Sequence, residues 1–132
     1  MDLNRFNTTA ACDIAQTLEL TNPYTGEVIL DDKNKPLELY LYGMQSTAAR
    51  NAIADRERKS GKNKTPSLEQ SRRIGAEFLA AITAGWSSNF DLDGEPLKHS
   101  RANAIKIYLE QDWIGRQAME FASELTNYDP EA

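Results

Sequence analysis

Residues 16–21 interleave polar side chains with Leu18 and Leu20, the pattern of a strand with one buried face. The Asn22-Pro23 pair and Gly26 then supply turn chemistry, and the apolar run Val28, Ile29, Leu30 predicts the returning strand of a hairpin. A second polar turn over 31–36 leads to residues 37–42, where Leu37, Leu39 and Leu41 share one face and Glu38, Tyr40 and Tyr42 the other. Three short strands joined by two turns predict an antiparallel meander over 16–43. Its leucine face needs a covering layer, because so small a sheet is marginal alone.

Helical spacing takes over after Gly43. Ser46 is a candidate N-cap for a helix reaching Lys59, whose apolar positions are only Ala49, Ala52 and Ile53. Residues 60–66 read as a mobile linker by composition, and Ser67 with Gln70 forms a capping box for the next helix. Leu68, Ile74, Phe78, Leu79, Ile82 and Trp86 follow mostly at three- and four-residue steps. They predict a core helix over 68–86, about 28 Å long, with Gly85 at its frayed end. Residues 87–99 read as an irregular loop. Ser100 caps a helix carrying Ala104, Ile105, Tyr108 and Leu109, and Asp112 starts another with Ile114, Ala118, Phe121, Ala122 and Leu125 on one side. The acidic end, 129–132, is expected to fray. The expected fold is α+β and mainly α: one domain over 1–132, with a small N-terminal β-meander followed by about four helices in 46–128.

Composition fits this picture. With 132 residues, 40% of them hydrophobic, the chain can build one sizeable core without disulfide staples. No apolar run approaches the ~20 residues of a bilayer span, and no secretory signal is legible at the start, so the expectation is a cytoplasmic protein. Cys12 is the only cysteine and excludes an intramolecular disulfide. The net charge of −5 is uneven: residues 1–49, 50–73 and 74–132 carry −4, +5 and −6. The basic stretch raises a nucleic-acid hypothesis. It is disfavoured because no aromatic residue between Gly43 and Arg73 could stack on a base, and the rest of the chain would repel a polyanion.

Catalytic patterns are missing. His99 is the only histidine and has no metal-ligand spacing around it, no Gly-x-Ser-x-Gly elbow frames a serine, and the glycines form no phosphate loop. Asp91, Asp93 and Gly94 imitate a calcium loop only in part, since the later ligand positions do not follow. The expectation is a non-enzymatic interaction protein without cofactor or metal. The candidate partner-binding or self-association residues are Arg56, Arg58, Lys59, Lys62 and Lys64, with Trp86, Phe90 and Trp113 as possible aromatic anchors against an ordinary role in the core.

The order of several short motifs resembles a known family. Asn22-Pro-Tyr-Thr-Gly26, the Leu-Tyr-Gly ending at Gly43 and the Ser46-led basic helix form its front half. Gly85-Trp86, Phe90 followed by Asp93-Gly-Glu-Pro-Leu97, Ser100-Arg-Ala-Asn103, Tyr108, and Asp112-Trp-Ile114 with Gln117 and Phe121 form the back half. Over about residues 16–128 this is similar to the tail assembly chaperones of long-tailed, lambda-like phages. Lys98-His99 and the small Gly115 and Ala118 depart from the pattern. The resemblance implies a holdase in the host cytoplasm that binds the tape measure protein until the major tail tube protein polymerises around it, and that is absent from the mature virion. It also implies contacts with other copies and with a longer frameshifted form. The alternative is a minor tail or head-tail joining protein retained in the virion; a small nucleic-acid-binding regulator ranks below both.

Overall fold

The computed structural model describes residues 1–59 and 65–131. A 3-10 turn, Leu3–Phe6, and a short helix α1, Thr8–Cys12, precede the sheet. Strands β1 (Gln16–Glu19) and β2 (Glu38–Leu41) pair antiparallel, with Leu18 opposite Leu39 and Gln16 opposite Leu41. Leu39 and Leu41 are fully buried while Glu38 and Tyr40 face outward, the alternation expected from the leucine pattern.

The meander fits expectation roughly, its middle run being the loosest part. Residues 27–30 form no full strand; they are held by single bridges, Thr21 to Val28 and Leu30 to Pro36, and the Ile29 amide donates to the Leu20 carbonyl. Asn22 and Asp31 explain why this excursion folds on itself. Each accepts backbone N–H bonds from its own turn, Asn22 from Tyr24 and Asp31 from Lys33 and Lys35, so local polar turns replace a ladder.

The third strand of the sheet comes instead from β3 (Thr83–Trp86), which pairs with β2 in the order β1-β2-β3. The helix expected over 68–86 therefore stops early, and the observed α3 is Leu68–Ile82. Thr83 marks the switch. Its hydroxyl donates to the Leu79 carbonyl at 2.7 Å and satisfies a group the ending helix would leave open, while its backbone is already extended. Trp86 kept helical spacing with Ile82, yet reaches the core from a strand.

Three further helices follow the predicted order, while part of the expected irregular loop 87–99 is a short hairpin. Helix α2 is Thr47–Lys59, β4 (Asp91–Leu92) and β5 (Glu95–Pro96) form a two-residue hairpin, and α4 (Arg101–Glu110) and α5 (Asp112–Ser123) close the fold. Asp93 and Gly94 both have positive φ, 53° and 81°, as a tight hairpin turn requires, so the calcium-like loop is a turn. A final 3-10 turn, Leu125–Tyr128, packs on α1.

The predicted caps form. Ser46 Oγ accepts from the Ala49 amide, Ser67 and Gln70 make a reciprocal capping box, and Ser100 accepts from the Asn103 amide. The core gathers Leu20, Leu39 and Leu41 from the sheet region, Phe78, Leu79 and Ile82 from α3, Ile105 and Tyr108 from α4, and Ile114 and Ala118 from α5. Leu68 was expected there and is not: at the first position of α3 it is 80% exposed. Leu125 also misses the expected apolar side, because α5 ends at Ser123 and leaves it partly exposed in the last turn. Gly115 and Ala118, the unexpectedly small residues, allow close helix approach; a Cβ on Gly115 would lie 3.3 Å from Leu79 Cδ1.

Candidate functional site

The basic segment lies on α2, whose two halves differ. Its start is anchored: the Thr47 amide and hydroxyl donate to the Asp13 carboxylate at 2.6 and 2.9 Å, and Arg50 donates to Thr9 Oγ1 at 2.8 Å. Ala49 is buried and Ala52 and Ile53 are half-buried against the core. From Ala54 to Arg58 every side chain is exposed. Arg58 pairs with Asp55, whereas Arg56 has no partner among the described residues. Lys59 ends the helix, and Lys62 and Lys64 lie outside the described residues, as does the expected linker apart from Thr65 and Pro66.

The aromatic candidates separate from this surface. Trp86 and Phe90 are 8% and 6% exposed and stack with ring centroids 5.3 Å apart, so both serve the core and offer no anchor to a partner. The Trp86 indole donates to the Leu97 carbonyl at 2.8 Å, and His99 meets its ring edge-on. Trp113 is half-buried against the core and donates to Gln111 Oε1 at 3.0 Å.

The structure adds a feature the sequence did not announce. A cleft of about 740 Å³ runs along the outer side of α3, lined by Ala52 and Arg56 of α2, Ile74, Phe78 and Ala81 of α3, and Arg101 and Leu109 of α4, among others. Its apolar floor is continuous with the core, and charged side chains rim it. Ile74 and Phe78 were legible as apolar helix positions. Arg101 and Leu109 were not legible as their neighbours, because α4 reaches α3 only through the tertiary fold. Arg72 sets that approach by donating to the Leu109 carbonyl at 3.0 Å and to Asp112 at 3.3 Å, bridging the end of α4 and the start of α5.

No family model, curated protein or solved structure matches this chain.

The perturbed ionisable groups belong to packing. Burial pushes the Tyr108 phenol up to about 12, partly offset by its 2.6 Å hydrogen bond with Thr83. Burial also raises Tyr128, whose hydroxyl donates to the Leu41 carbonyl at 3.1 Å, and the neighbouring Cys12 adds to the shift. Asp31 is held below the ordinary carboxylate range, first by the Asn89 amide and then by backbone N–H bonds of its own turn. None of the three lines the cleft. Among the described residues no group of His, Cys, Asp and Glu is placed to hold a metal ion, and no helix is long and apolar enough to cross a membrane.

Proposed function

We propose that this chain is a tail assembly chaperone of a long-tailed phage, binding the tape measure protein in the host cytoplasm and keeping it soluble until the tail tube forms. The motif order over residues 16–128 supports the family reading, and the observation that carries the activity is the open cleft on α3. A holdase needs an apolar surface that stays available in the folded state, set on a scaffold whose stability does not depend on filling it. The cleft meets that need: its floor is apolar, its charged rim keeps the empty surface hydrated, and the core beneath it is closed by α4 and α5. In this reading the tube protein displaces the chaperone, and other copies, with a longer frameshifted form, occupy successive sites along the client.

Co-expression is the test. The tape measure protein produced with this chain should stay in the supernatant and co-purify with it, and should sediment when produced alone. A tape measure protein equally insoluble with and without the chain would refute the reading. Mass spectrometry of purified virions separates the structural alternative: the chaperone should be missing from particles, and a stoichiometric presence would favour a minor tail or joining protein.

A further inference from the structure

The rim of the α3 cleft specifies more than its floor does. Asp55 is held by Arg58 of its own helix, and Arg73 Nε donates to Glu77 Oε1 at 3.0 Å. Arg56, Arg101 and Glu69 have no ion-pair or hydrogen-bond partner among the described residues, which leaves two guanidiniums against one carboxylate.

The two cations are far apart. Because Arg72, near the start of α3, bonds the carbonyl of Leu109 at the end of α4, the two helices run antiparallel, and Arg101 at the start of α4 lies toward the Ala81 end of the floor. Arg56 shares a recess with Pro66, Ser71 and Ile74 at the other end of α3. The guanidiniums stand on the α2 and α4 walls, Arg56 beside Ser71 to Gly75 and Arg101 toward Ala81, roughly 9 to 15 Å apart along the axis of α3.

Backbone chemistry selects the shape of the occupant. The walls and floor are helices whose own N–H and C=O groups are paired internally, so an extended peptide would enter with backbone groups unsatisfied, whereas a helix arrives with its bonds made. A second copy of the chain does not fit. Its exposed large apolar residues are Met1, Leu3, Phe6, Ile14, Tyr24, Val28, Leu30, Leu68 and Leu125, and only Leu68 among them lies on a helix of useful length, so no described helix offers an apolar stripe.

Building on the chaperone reading, we propose that the cleft receives an amphipathic helix of the client, about three turns long, apolar toward Ile74 and Ala81, the half-buried floor positions on either side of the buried Phe78, and bearing carboxylates on both flanks, one for Arg56 and one for Arg101. Guanidinium forks suit carboxylates, and a lysine-flanked helix would set like charge against both ends. The carboxylates would sit roughly six to ten residues apart, matching the spacing of the two cations along α3.

The probe is a fluorescein-labelled synthetic helix of 18 residues with leucines at three- and four-residue steps and glutamates on both flanks, titrated beside a twin with lysines in place of the glutamates. Wild-type protein should bind the glutamate peptide at least tenfold more tightly, and the exposed double variant Arg56→Glu/Arg101→Glu, with fold checked by circular dichroism, should reverse the preference. Equal affinity for the twins, absence of saturable binding, or a preference untouched by the reversal would overturn the proposal. So would sedimentation showing a wild-type dimer that the double variant abolishes, because a second copy would then fill the cleft. Co-expression keeps the two readings separate. If the double variant solubilises the tape measure protein as well as wild type does, the cleft assignment falls and the chaperone reading stands; if wild type itself fails, the chaperone reading falls while the peptide titration still decides the cleft.

Discussion

Helices α2 and α3 are consecutive and similar in length, 13 and 15 residues, yet α3 buries five side chains and α2, among its described side chains, only Ala49. α3 lies between α2 and α4 and feeds directly into the central sheet; α2 is fastened at its first turns, packs on α3 through Ala52 and Ile53, and then exposes every side chain from Ala54 to Arg58. Helices this short are marginal in water unless a face is packed, so the second half of α2 adds little to folding and is held by little. The comparison teaches that stability and recognition are divided. The core side of α3 sustains the fold, and its outer side forms with α2 and α4 the cleft proposed above as the binding site.

The largest expected effect comes from reversing the weight of these helices. Ile82→Ala removes a fully buried side chain where α3 enters the sheet and should lower stability by about 2 to 5 kcal/mol in a denaturant titration. Ile53→Ala on α2, half-buried, should cost about 1 kcal/mol, since less apolar area returns to water. Equal losses would break the division between the helices.

A smaller effect tests the side of the core that does not touch the cleft. A Cβ at residue 43 would lie 2.4 Å from Cys12 Sγ, 2.8 Å from Cys12 Cβ and 3.2 Å from Tyr128 Cε2. Gly43→Ala should destabilise by about 1 to 3 kcal/mol through overpacking, with peptide binding at the cleft unchanged. Loss of binding without loss of stability would place Gly43 in the site and contradict the comparison.

Legibility followed the same division. β2 and the three serine caps could be read because each is a local pattern: alternation over six residues, or one hydroxyl over one helix start. β3 could not, because residues 83–86 continue the spacing of α3 and only pairing with β2 makes them extended. The run 27–30 failed in the opposite sense: its apolar composition suits a strand, but Asn22 and Asp31 capture their own turns and leave only bridges. Among the site candidates, Arg56 was legible from the charge run, and its counterpart Arg101 sits in an acidic segment with nothing local to mark it. Trp86 and Phe90 were ambiguous as single aromatics until the fold stacked their rings in the core.

Next in size is the buried hydroxyl chain. Thr83 donates to the Leu79 carbonyl, so Tyr108 donates to Thr83, and Tyr108→Phe should cost about 1 kcal/mol at neutral pH. The folded-state pKa of about 12 exceeds the ordinary value of 10, so the native state keeps a proton that the unfolded chain loses. This stabilisation is complete below pH 10 and is lost as pH rises from there toward about 12. Chemical denaturation at pH 9 and pH 11 should show the wild type losing stability, and Tyr108→Phe losing less. A variant with the same alkaline slope as wild type would remove Tyr108 from that linkage.

The smallest expected effect lies on the exposed half of α2. Asp55 and Arg58 form an i,i+3 pair with side chains 57% and 76% exposed, and pairs of this kind contribute roughly 0 to 0.5 kcal/mol. Arg58→Ala should therefore leave the denaturant midpoint almost unchanged. Its consequence should appear locally, because from Ala54 to Arg58 every side chain is exposed and each lost pair shifts the opening equilibrium of the last turns. Native-state hydrogen exchange should show low protection for amides 54–58 in the wild type and faster exchange there in the variant, while amides 76–82 exchange only through near-global unfolding in both. If amides 54–58 of the free protein were protected as well as those of α3, α2 would be held by contacts other than those described, and the availability of the cleft would lose its physical basis. If they become protected only when the glutamate peptide is added, the ordering of α2 is coupled to occupation of the cleft, and the contrast between the two helices belongs to the unliganded state.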